Sequence, residues 1–388
     1  MLTQIINGHI LTPQGWIEDG SVLICDGKIL ETTSSDLAVI GAKVIDAKGM
    51  YIVPGFVAMH VNGGNGHDFN EATPEAFNAV VDAHLKHGAT TIFPTLTSTS
   101  SENIKEAVKV CEELIKSGNK IVQGLEIEGP YLNRNMAGKH WEDSIKEIDE
   151  QEYREIVENT NIIKRWDISP ELEGAHEFAK YMKGKGIMTA VTHTEAEYEE
   201  IQAAFNAGFT HAALFYNAMP GFHKRREFKY EGTVESVYLN DDMTVEVIAD
   251  GIHLPATILK LVYRLKGVEK TCLVTDAVKY AAYNGEISDS KYIIENGVCK
   301  LADHSSLAGS LATMETLVQT MVKKAGIPLE DAVRMASETP ANIIGIGDRK
   351  GTLQRGKDAD IVILDKNINV RCVFSAGEMV EGTNTMIH

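Results

Sequence analysis

Two rhythms of apolar and polar residues alternate along the middle of this chain. Short runs rich in Val, Ile, Thr and Phe recur at 52–60, 89–95, 121–129, 163–171, 187–194, 209–217, 244–250 and 271–277. Each has the length and composition of a buried strand. Between most of them lie segments with apolar residues at helical spacing, at 74–88, 102–118, 195–208 and 255–267, which read as amphipathic helices. Eight such units in succession predict a (β/α)8 TIM barrel; a doubly wound open sheet is the alternative, and eight units in a row favour closure. The two ends have a different texture, short strands broken by turns at Asp26-Gly27, Lys48-Gly49, Gly356 and Gly377. They predict a small β-sandwich domain built from both termini, residues 1–53 plus 352–388, around a barrel at 54–351.

Composition narrows the partners. The 388 residues carry a formal charge of -18, with 44% hydrophobic and 24% charged residues. A chain this acidic is not expected to bind nucleic acid or an anionic membrane wholesale, and no apolar run is long enough to span a bilayer. The first residues lack the charged-then-apolar layout of a signal peptide. The five cysteines are scattered without a CxxC pair, so a reduced, cytoplasmic setting is expected. An anionic substrate needs a local positive cluster, and His223-Lys224-Arg225-Arg226 supplies one. A solvated basic loop is the ordinary reading of such a run.

Barrel enzymes build their sites at the C-terminal ends of the strands. Here those ends carry His60, Thr95, Glu128, His193, Asn217, Asp250 with His253, and Asp276. One such residue alone reads as a cap or a satisfied core group; together, from different strands, they predict a common mouth. His84, His87 and His176 lie on helical segments and read as surface or packing residues. Ser98 to Ser101 reads as a loop and helix cap. Gly63-Gly64-Asn65-Gly66 lacks the following Lys-Ser/Thr of a phosphate loop and reads as backbone passing close to the site.

Three motifs carry a resemblance. Glu128-Gly129-Pro130-Tyr131-Leu132-Asn133 is followed by Gly138 and His140. Thr210-His211 leads into Tyr216-Asn217-Ala218-Met219-Pro220 and Arg225-Arg226-Glu227. Asp250-Gly251-Ile252-His253 and Val274-Thr275-Asp276-Ala277 precede Leu307-Ala308-Gly309-Ser310. In this order and spacing they resemble the N-acetylglucosamine-6-phosphate deacetylases of the amidohydrolase superfamily, over almost the whole chain. The resemblance implies removal of acetate from a sugar-phosphate amide with the help of one divalent metal ion, zinc or iron. Asp276 then takes a proton from the attacking water and returns it to the leaving amine, because amide hydrolysis must expel a poor leaving group. It implies Glu128 and His193 as metal ligands. His140, Asn217, Ala218, His253, Leu307, Ala308 and Gly309 become substrate contacts. The phosphate falls to Arg225 or Arg226, whose planar forks bond phosphate oxygens two at a time. The loop carrying them implies a homodimer.

The chain departs from the family where a third metal-ligating histidine belongs, three residues before Asn217. Leu214 stands there, and leucine has no lone pair to give. His211, three positions earlier on a strand, is expected on the opposite face. His60 and Asp276 remain near the mouth to compensate, and Asn62 in place of a second histidine argues for a single metal. A degenerate paralogue that binds a sugar phosphate without hydrolysing it is therefore the alternative. A cyclic-amide hydrolase or deaminase ranks below both, since Ser169-Pro170-Glu171 stands where a lysine often ends the fourth strand.

Overall fold

The computed structural model describes residues 2–385 apart from 35–37, 139, 141, 286–289, 296 and 305. All eight apolar runs form parallel strands of one sheet: Phe56–Val61, Ala89–Leu96, Leu125–Glu128, Ile163–Ile168, Met188–Val191, Phe209–Ala212, Thr244–Ile248 and Thr271–Val274. Each strand pairs with its neighbours in chain order. The last returns to the first through a parallel bridge between Val61 and Ala277, so the sheet closes into the expected barrel. Strand faces that meet helices are packed with Phe56, Trp166 and Val245, in one core cluster with helix residues such as Phe77, Val80 and Phe178.

Local chemistry starts the helices. Thr73 accepts a hydrogen bond from the Ala76 backbone ahead of the helix Pro74–Lys86. Ser100 does the same for Asn103 ahead of Ser101–Lys116, the cap read from the serine run.

Both termini enter a second eight-stranded sheet, with strands between Leu2 and Pro54 and between Ile361 and Met379. Its two halves join where Tyr51–Pro54 runs antiparallel to Ile361–Leu364, Ile52 opposite Ile363. Ile5, Val22, Ile361 and Phe374 lie in a separate apolar cluster there. Among the described residues no helix is long and apolar enough to cross a membrane.

Candidate active site

The strand ends bring their polar residues to one mouth. His60 and Glu128 are fully buried, and His193 and Asp276 are each 4% exposed. Several of these positions leave the strand through left-handed backbone: φ is 43° at His193, 46° at Leu214, 76° at Tyr216, 49° at Ala218 and 44° at Asp276. Non-glycine residues adopt that region rarely and at some cost, and it clusters where function fixes the backbone.

The hydrogen bonds decide which nitrogens can bind a metal. His193 gives its Nδ1 proton to the Met136 carbonyl at 2.6 Å, which leaves Nε2 with its lone pair 3.3 Å from Glu128 Oε1. His60 Nδ1 lies 3.0 Å from Glu246 Oε1 and 3.1 Å from Glu126 Oε1. Only a proton on that nitrogen satisfies the carboxylates, so a neutral His60 likewise carries its lone pair on Nε2. That atom has no hydrogen-bond partner and stands 3.7 Å from both Glu128 Oε2 and Asp276 Oδ1. Burial opposes a charge on His60, but Glu126, Glu128 and Glu246 outweigh it and raise the imidazole well above its ordinary range. A field that holds a proton on Nε2 also favours a metal cation there.

Glu128, His140 and His193 also lie within 4.8 Å of one another, yet His140 does not fit a ligand's role. Its Nδ1 accepts the Ser98 backbone N–H at 3.3 Å, so in the neutral ring the proton sits on Nε2, 3.4 Å from Glu128 Oε2. Ligand atoms around one tetrahedral zinc are roughly 3.4 Å apart for bonds near 2.1 Å. Glu128 and His193 therefore fit a divalent metal, with His60 Nε2 3.7 Å from the other Glu128 oxygen and His140 packed beside them.

Asn62 donates from Nδ2 to Asp276 Oδ1 at 2.5 Å, which turns that carboxylate toward the mouth. Asp276, His193, Asn217, Ala218, His253, Leu307 and Gly309 line a cavity of about 380 Å³, within the range of small-molecule sites. Asn62, His140 and Ala308 line a neighbouring cavity of about 220 Å³. His253 is held by Asp250, Nδ1 to Oδ2 at 2.7 Å. Burial alone would raise the Asp250 carboxyl; His253 and two backbone N–H groups hold it below its ordinary value instead. Arg225 and Arg226 do not line this cavity. They sit at the turn of an exposed hairpin, His223–Arg225 and Phe228–Tyr230, where Arg225 pairs with Glu197 at 2.5 Å and stacks on Tyr230.

Leu214 and Ile248 line the same cavity as Asp276 and give it an apolar stretch of wall. His211 differs from its expected place. It is fully buried and faces the barrel axis, with Nε2 3.2 Å from Glu246 Oε2. Strand parity does not carry from His211 to Leu214 because the strand ends at Ala212 and Leu214 has left-handed backbone. His211 lies off the Glu128–His193 pair and groups instead with Glu246 and Cys272.

The sequence reading missed a layer of charge on the barrel axis. Arg165, 1% exposed, binds Asp167 through Nε and Nη2 at 2.8 and 2.5 Å, and Glu246 through Nη1 and Nη2 at 2.5 and 2.9 Å. It also lies 3.2 Å from Glu126. A signal existed: Glu126 with Glu128, and Arg165 with Asp167, are charged pairs two apart inside apolar strands. Two-residue spacing puts both members on one face.

A closed parallel barrel with carboxylates and imidazoles gathered at its C-terminal mouth defines a hydrolase of the metal-assisted barrel class. The model of the amidohydrolase family matches residues 51–380, and the chain belongs to that family. It is 32% identical to the N-acetylglucosamine-6-phosphate deacetylase of Haemophilus influenzae, over 94% of this chain and 96% of the relative. The crystal structure of the Pasteurella multocida deacetylase of that name superposes with a TM-score of 0.92, at 27% identity over 98% of this chain and all of the other. A Mycobacterium smegmatis deacetylase, an aspartate-to-alanine mutant solved with N-acetyl-D-glucosamine-6-phosphate, gives a TM-score of 0.90 at 27% identity over 97% and 99%.

Proposed function

We propose that this chain is an N-acetylglucosamine-6-phosphate deacetylase, hydrolysing the acetamide to glucosamine 6-phosphate and acetate. The observation that carries the chemistry is Asp276, nearly buried, oriented by Asn62, and in the wall of the 380 Å³ cavity beside His193. Glu128, His193 and His60 would hold a divalent ion, zinc or iron. When bound, it lends Lewis acidity to the amide carbonyl and to water. Asp276 accepts the proton of the attacking water at its carboxylate and then delivers it to the departing nitrogen. Asn217, Ala218, His253 and the backbone at Leu307, Ala308 and Gly309 hold the sugar. His140 meets the substrate from the neighbouring cavity. Arg225 or Arg226 reads the phosphate from the hairpin.

The same hairpin supports a homodimer, since Phe222 just before it and Phe228 within it are 62% and 61% exposed. A cytoplasmic setting belongs to the same reading. The alternative, binding without catalysis, loses its basis if His60 stands in for the missing histidine at 214. Acetate release from N-acetylglucosamine 6-phosphate, measured beside metal per chain, tests the proposal. Protein loaded with zinc or iron that binds the substrate and releases no acetate would sink it.

A further inference from the structure

The axial charge layer beneath the mouth has no part in the chemistry above, yet it touches the site at His60 and at the Leu214 backbone. Glu246 lies on the seventh barrel strand and is fully buried. Its Oε1 accepts from His60 Nδ1 at 3.0 Å, from the Leu214 backbone N–H at 3.2 Å and from Arg165 Nη2 at 2.9 Å. Its Oε2 accepts from Arg165 Nη1 at 2.5 Å and lies 3.2 Å from His211 Nε2. One carboxylate thus ties together the first, fourth, sixth and seventh strands. A carboxylate on one ring nitrogen sets the tautomer and orientation of a metal-binding histidine and makes its other nitrogen more basic.

We infer that Glu246, braced by Arg165, is a positioning residue that presents His60 Nε2 to the metal in place of the imidazole missing at Leu214. The inference rests on the reading above that the site holds a divalent ion. The brace has a physical reason. A lone glutamate at this depth would be neutralised by burial. Arg165 meets both carboxylate oxygens of Glu246, at 2.5 and 2.9 Å, and supplies the compensating charge. Arg165 is itself fixed from its far side by Asp167. Glu126, 3.1 Å from His60 Nδ1, is anchored separately by Thr95 at 2.6 Å.

The test uses zinc on the full chain, with affinity read by chelator competition in the absence of substrate. Glu246→Gln keeps the volume but turns an amide N–H₂ toward Arg165 or a histidine. Zinc affinity should fall by about 10- to 100-fold, the usual cost of losing a partner behind a ligand. kcat should fall while KM stays within about twofold, as for a loss of transition-state rather than substrate binding. X-ray absorption should count two imidazoles per zinc in the wild type and in His140→Gln, and one in Glu246→Gln. If Glu246→Gln does not fold, Glu246→Asp replaces it: the carboxylate, withdrawn by one methylene, should weaken zinc several-fold. Wild-type zinc affinity in either folded variant would overturn the inference, as would a single imidazole in the wild type. Because zinc is read without substrate, a protein that binds it as described but releases no acetate would overturn the functional reading alone.

Discussion

Asp276 and Leu214 line one cavity, both on left-handed backbone, and each sets up a substitution. Asp276→Asn keeps the shape and can still meet Asn62, but it cannot take a proton. Its kcat should fall by at least roughly 100-fold, the scale of general acid–base catalysis, with KM little changed; near-normal turnover would remove Asp276 from the mechanism. Leu214 is the sharper case. Histidine tolerates left-handed backbone better than leucine, so Leu214→His should fold. If His60 already completes the site, the wild type carries close to one metal per chain and the new imidazole adds little. Metal analysis and acetate release on both proteins, purified alike, decide this; a histidine that raises both together would show that the natural site is one ligand short.

Elements place these residues, and here strand parity was both informative and misleading. Its place at a strand end marked Glu128, and two-residue spacing would have added Glu126 beside it and linked Arg165 with Asp167. Parity failed between His211 and Leu214 because the strand stops between them, a boundary that pattern alone does not locate. The hairpin 223–230 is the other element at issue, because its arginines stand outside the cavity of this chain. If it reads the phosphate, Arg225→Ala or Arg226→Ala should weaken the phosphorylated sugar by about 1.5–3 kcal/mol, the worth of a hydrogen bond to a charged group. The unphosphorylated sugar should be nearly unaffected. Titration calorimetry with both ligands separates the cases, and equal losses for both in both variants would clear the hairpin of that role. Glu197 already pairs with Arg225, so substrate must compete with that carboxylate or use Arg226.

At the scale of the whole molecule, burial links the barrel's stability to pH. His84 reads as a surface or packing residue from its helix, and the structure makes it packing: it is fully buried, with Nε2 on the Gly63 carbonyl at 2.9 Å. Burial pushes its imidazole down from 6.5 to about 4. The unfolded chain therefore takes up a proton below about pH 6.5 that the folded chain refuses. The stability is complete above that pH and drains away as pH falls toward 4. Between pH 7 and pH 5 the wild type should lose about 2 kcal/mol more than His84→Gln, read from urea midpoints; parallel losses in the two proteins would contradict the assignment. The glycine run beside it allows this contact, since a Cβ on Gly64 would stand 3.1 Å from His84 Nε2. What the sequence determined by itself was the barrel, a small β domain drawn from both termini, and the set of polar strand ends. Those follow from apolar periodicity and from fixed strand direction, which are local. The tertiary structure alone decided which ring nitrogens of His60, His140 and His193 keep a lone pair, that Arg165 and Glu246 stand behind His60, and that His84 is sealed from solvent. These depend on which distant groups share a hydrogen bond across the barrel axis, and no spacing along the chain encodes that.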